Sequence, residues 1–158
     1  HGTEFQILFP AHMQRLAVHH PVVKPPPPPA SGGHILIVDD ERAIINVFER
    51  LLVRSGYKVT AHADPHAAFE DFAARPAAIN LILTDLTMPG MNGLELAGKI
   101  HAIRPELPVV IATGFGGDLI TKAHLAACPN IRRVVEKPLT TEHLTRLVAE
   151  LLQPGGPA

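Results

Sequence analysis

The sequence contains no tryptophan, one tyrosine and a single cysteine, Cys128. One cysteine excludes an internal disulfide framework and fits a reducing compartment. An excess of charge of either sign is also missing, since 14 Lys and Arg face 15 Asp and Glu for a formal charge of -1. Without the cationic surplus that polyanion binding needs, direct contact with nucleic acid is not expected. Long hydrophobic runs are lacking too. Stretches such as Ile35 to Val38 fall far short of the ~20 apolar residues that span a bilayer, and no basic segment leads into an apolar one at the N-terminus. These absences predict a cytoplasmic chain without membrane contact of its own. What is present is a hydrophobic share of 46% in 158 residues, enough for the core of one ordinary domain and a tail.

The chain divides unequally. Residues 1 to 33 hold seven of the sixteen prolines but only three formal charges, Glu4, Arg15 and Lys24. Pro25 to Pro29 have a fixed φ and no N–H to donate, which favours an extended polyproline II rod. The segment 12–33 therefore reads as a stiff linker, with an SH3-type ligand as the competing reading. The folded part is expected over 34–153, leaving 154–158 as a tail.

From His34 onward, β-branched runs alternate with amphipathic stretches. Ile35 to Val38, Tyr57 to Ala61, Ile79 to Thr84, Pro108 to Ala112 and Arg132 to Glu136 read as five strands. Three of them are almost continuously apolar, as parallel strands covered on both faces must be. The stripes Ile44-Phe48-Leu51-Leu52, Leu96-Ile100-Ile103 and Leu144-Leu147-Val148-Leu151 mark amphipathic helices. Asp64 before Pro65 is a helix-start signal for the second helix, and a short fourth helix follows Gly117. Five β-α units predict an α/β fold: a doubly wound, flavodoxin-like five-stranded parallel sheet with helices on both faces. The strand order 2-1-3-4-5 is an expectation, because periodicity alone does not fix it.

In such sheets ligands bind at the carboxyl ends of the strands. There stand Asp39-Asp40 followed by Glu41 after strand 1, Asp85 after strand 3, Thr113 after strand 4, and Lys137-Pro138 after strand 5. Carboxylates from neighbouring strands repel one another, and a hard divalent cation relieves this. Oxygen ligands suit Mg²⁺, which keeps some waters and accepts phosphate oxygens. A carboxylate such as Asp85 can be a nucleophile toward phosphorus, with Lys137 and Thr113 meeting the charge on the transferring oxygens.

The motifs Ile35-Leu36-Ile37-Val38-Asp39-Asp40-Glu41, Leu83-Thr84-Asp85-Leu86-Thr87-Met88-Pro89-Gly90-Met91-Asn92-Gly93 and Val135-Glu136-Lys137-Pro138 resemble those of response-regulator receiver domains. The resemblance implies that Asp85 accepts a phosphoryl group and that Asp39, Asp40, Asp85 and the main-chain carbonyl of Thr87 hold Mg²⁺. It also implies that Thr113 and Lys137 contact the phosphoryl oxygens, that the Lys137-Pro138 bond is cis, and that Gly114 leaves the acceptor open to donors. The partner would be a histidine kinase or a histidine phosphotransfer protein, and the domain would catalyse its own phosphorylation and dephosphorylation. One departure is Val134, where family members often carry Tyr or Phe that swings inward on activation. Phe115 could substitute for it or simply pack.

Residues 1–11 resemble the last strand of a histidine-kinase ATPase domain, which would make the parent a hybrid sensor histidine kinase; an arbitrary leader is the alternative. Two other function classes compete. A haloacid-dehalogenase-like phosphatase needs an acid two residues after its nucleophile, where this chain has Thr87. A phosphorylation-independent interaction module would not need the full acceptor set. Ten histidines suggest zinc only superficially, because no predicted helix carries two at i, i+4. Cys128 reads as a packing residue.

Overall fold

The structure is a computed structural model that describes residues 32–114 and 120–152. The kinase-like segment 1–11, the polyproline run, Phe115 and the tail 154–158 lie outside the described residues. Five strands and five helices alternate: β1 His34–Val38, α1 Arg42–Arg54, β2 Lys58–His62, α2 Pro65–Ala74, β3 Leu81–Asp85, α3 Gly93–Ile103, β4 Val109–Thr113, α4 Lys122–Ala127, β5 Ile131–Glu136 and α5 Thr141–Leu152. The strands form one parallel sheet in the order β2-β1-β3-β4-β5, the order anticipated above. Strand limits differ from the sequence reading by one or two residues. Asp85 and Thr113, expected just past their strands, are the last residues within them.

Burial explains the apolar runs. Every residue of β1, β3 and β4 is buried, because helices cover both faces of the central strands. Side chains alternate between the two layers. Leu36, Val38, Ile82 and Ile111 pack with Phe72 of α2 and with Leu96 and Ile100 of α3. Ile35, Ile37 and Leu83 pack with Phe48 and Leu52 of α1 and with Leu144 and Val148 of α5. Each such side chain contributes roughly 1.5–3 kcal/mol through burial. The α1 stripe is rotated slightly from expectation: Ile45 is buried with Phe48 and Leu52, while Ile44 and Leu51 are half-buried. Ile103, assigned to the α3 stripe, is 42% exposed and is the last residue of the helix.

Helix starts follow local chemistry. Asp64 Oδ1 accepts from the His66 N–H at 2.9 Å and Pro65 occupies the first turn, as its missing N–H allows. Asn92 and Glu95 form a reciprocal capping box at α3. On the edge strand β2, His62 hydrogen-bonds Asp71 of α2 at 3.2 Å, and Asp71 also pairs with Arg75 one turn on. The Arg75 hydrogen bond, then that of His62, holds the Asp71 carboxyl below its ordinary value of 3.8. A depressed carboxyl stabilises the fold above its unfolded pKa and loses that contribution as pH falls through the folded one. Asp71→Asn should thus cost under ~1 kcal/mol near neutrality. In urea titrations, the gap to wild type should persist down to about pH 4 and close below it.

Candidate phosphoacceptor site

The site lies where β1, β3 and β5 end. A parallel sheet delivers the C-terminal residues of neighbouring strands to one edge, and β3 sits between β1 and β4. Asp39 follows β1 and is held by its main chain, with its N–H donating to the His62 carbonyl at 3.3 Å. Its Oδ1 accepts from the Glu41 N–H at 2.9 Å. Asp85 closes β3, and its Oδ2 accepts from the Thr87 N–H at 2.7 Å. Both carboxylates are buried. Between them stands the Lys137 ammonium, 2.7 Å from Asp39 Oδ2 and 2.7 Å from Asp85 Oδ1.

Two buried carboxylates facing each other would be costly without a shared cation. Burial pulls the Lys137 pKa down, but the hydrogen bonds it donates to Asp39 and Asp85, together with their charges, outweigh it and leave the lysine above its ordinary 10.5. It is therefore a fixed positive charge at neutral pH. Its position is set from β4, since the Lys137 N–H donates to the Thr113 carbonyl at 2.8 Å. Thr113 itself is 1% exposed. The Lys137-Pro138 bond is cis, as the family resemblance implies.

The sequence reading expected a gathered trio of carboxylates. The structure instead pairs Asp39 and Asp85 through Lys137 and leaves Asp40 exposed. Among the described residues, no three His, Cys, Asp or Glu side chains are gathered as a metal group. The cation inferred from charge repulsion is thus partly supplied by lysine. Asp39 and Asp85 against one ammonium still leave one formal negative charge, exposed Asp40 adjoins Asp39 in the chain, and the donors are hard oxygens. That chemistry fits a divalent ion such as Mg²⁺.

Gly93 was read only as part of a motif, yet it has a steric role. A Cβ there would stand 2.3 Å from the Asp85 carbonyl oxygen and 3.2 Å from the Leu86 Cα. Only glycine lets α3 start against the backbone of the acceptor strand, where its N–H donates to the Leu86 carbonyl at 2.9 Å. Gly114, beside Thr113, faces open space: a Cβ would meet nothing within 4 Å.

The family model of the response regulator receiver domain matches residues 35–149. The chain belongs to the response-regulator receiver family. The response regulator receiver protein CpdR of Brucella abortus is 32% identical over 112 residues, covering 71% of this chain and 88% of that protein. A receiver domain from Clostridium thermocellum superposes with a TM-score of 0.68 at 28% identity, over 76% of this chain and 94% of that one. The receiver domain of the hybrid histidine kinase CckA gives a TM-score of 0.63 at 29% identity, over 77% and 100%. Several longer curated relatives are spanned only to 17–28% of their length. This receiver departs from the usual aromatic near the end of β5: Val134 is half-buried, packs on the α2/α3 side of the core and stands opposite Ile111 of β4.

Among the described residues, the Lys137 ammonium pairs with both buried carboxylates, Asp39 and Asp85, so its removal should be costly. Lys137→Met should destabilise by about 3 kcal/mol in urea unfolding, and adding Asp85→Asn to that variant should recover part of the loss.

Proposed function

We propose that this receiver accepts a phosphoryl group from a phosphohistidine onto Asp85, with Mg²⁺ required. The observation that carries the proposal is the buried Asp85 carboxylate held between the Lys137 ammonium and the Thr87 N–H. A carboxylate oxygen of Asp85 attacks phosphorus, the P–O bond forms, and the P–N bond to the donor imidazole breaks. Negative charge then spreads over the phosphoryl oxygens. Lys137 is placed to neutralise part of it by moving its interaction from Asp85 to the phosphoryl group while keeping Asp39. The Thr113 hydroxyl, at the end of the adjacent β4, is the donor for a second oxygen. Asp39, Asp40, Asp85 and the Thr87 carbonyl would hold Mg²⁺, which supplies charge neutralisation for the transferring group. Attack of water on phosphorus later regenerates the carboxylate and releases inorganic phosphate.

The donor is a histidine kinase or histidine phosphotransfer protein, a partner that also accounts for a cytoplasmic setting. Among the described residues, no helix is long and apolar enough to cross a membrane. The likeness to the CckA receiver and the G-T-x-F run near the N-terminus support a hybrid kinase as the parent.

Incubation with acetyl phosphate and Mg²⁺ should add one base-labile phosphoryl group, read by intact-mass spectrometry. EDTA or Asp85→Asn should abolish it, and a group persisting in Asp85→Asn would refute the assignment. A second expectation concerns relay. Val134 has no ring to rotate inward, so phosphorylation should leave the amide shifts of β5 nearly unchanged while those near Thr113 move; large changes along β5 in ¹H-¹⁵N spectra would contradict this.

A further inference from the structure

The structure carries two capping boxes of different chemistry. At α3 the reciprocal partner is the carboxylate of Glu95, which accepts from the Asn92 N–H at 3.0 Å. At α4 the same place is taken by His124: its ring Nδ1 accepts from the Thr121 N–H at 3.3 Å, and its own N–H donates to Thr121 Oγ1 at 3.3 Å. An imidazole accepts at Nδ1 only while unprotonated there, with the hydrogen on Nε2. Protonation would set two N–H groups against each other.

The remainder of α4 offers little to offset that loss. The helix has six residues and buries none of them; Thr121 to Ala127 are all exposed. Its anchors to the core are the flanking Ile120 and Cys128. A helix this short does not persist on propensity, so its ends decide. His124 serves both ends, since its carbonyl also accepts from the Cys128 N–H at 3.0 Å. As the third of six residues it stands near the middle, where dipole effects of its charge largely cancel. The lost hydrogen bond sets the sign. Among the described residues, Thr121 is the hydrogen-bond partner of the ring, no carboxylate pairs with it, and the charged neighbour on its own helix is Lys122.

We propose that the Thr121-His124 box is a proton-sensitive cap, and that protonation of His124 unwinds the first turn of α4. The cap begins at Thr121, eight residues after Thr113 at the end of β4.

The test is amide exchange and Cα chemical shift across 122–127 in the full chain, followed from about pH 8 to about pH 5.5. After correction for intrinsic exchange, acidification should speed exchange at Leu125 and Cys128 roughly two- to tenfold, with α3 amides unaffected. His124→Glu should keep the acceptor and abolish the pH response, whereas His124→Ala should show the acid-like α4 at both pH values. Intact α3 shifts show that each variant is folded. An α4 unchanged by acid in wild type, or a response that survives in His124→Glu, would overturn the proposal.

Discussion

One ammonium group joins the functional edge of this receiver. Lys137 bonds Asp39, 98 residues earlier in the chain, and Asp85 at the end of the central strand β3. Without a cation there, the two buried carboxylates would repel in a medium of low polarisability. The sheet order makes that contact possible: β1 and β3 are adjacent, and β5 lies beside β4, where the Lys137 N–H donates to the Thr113 carbonyl. Asp85 is therefore held in place by its contact with Lys137. A phosphoryl group on Asp85 would offer the lysine a stronger partner, and Asp39 would keep the amine from leaving.

The surrounding structure is rigid where that exchange needs a fixed frame. β1, β3 and β4 are sealed on both faces, and α3 is pressed so closely against the Asp85 carbonyl that only Gly93 fits. On the far side of the acceptor, the constraints relax. Gly114 borders open space, and α4 buries none of its residues. Close packing behind Asp85 and open space beside Thr113 suit a domain in which the proposed acyl phosphate would bias a two-state element without disturbing the core.

Much of this was legible in the residues. Continuous apolar runs such as Val109-Val110-Ile111-Ala112, alternating with amphipathic stretches, read as central parallel strands, and the polar residues that end them fall at the sheet edge. Asp64-Pro65 marked the start of α2 for reasons internal to four residues. Two things were hidden. Charge repulsion among Asp39, Asp40 and Asp85 called for a cation but could not say that Lys137 already supplies one, because that depends on a tertiary contact across the sheet. Local pattern was likewise silent on Gly93, whose necessity comes from the distance to Asp85 and not from backbone torsion, and on the exposure of Ile103, the last residue of α3.

The central claim is that Lys137 holds the resting acceptor and transfers to the phosphoryl group. A crystal structure of the chain with beryllofluoride and Mg²⁺ tests it most directly. The account predicts the fluoride adduct on Asp85, with Lys137 Nζ moved from the Asp85 carboxylate to a fluorine while its contact with Asp39 remains. An adduct on another residue, or a Lys137 still bonded to the Asp85 carboxylate beneath it, would contradict the account.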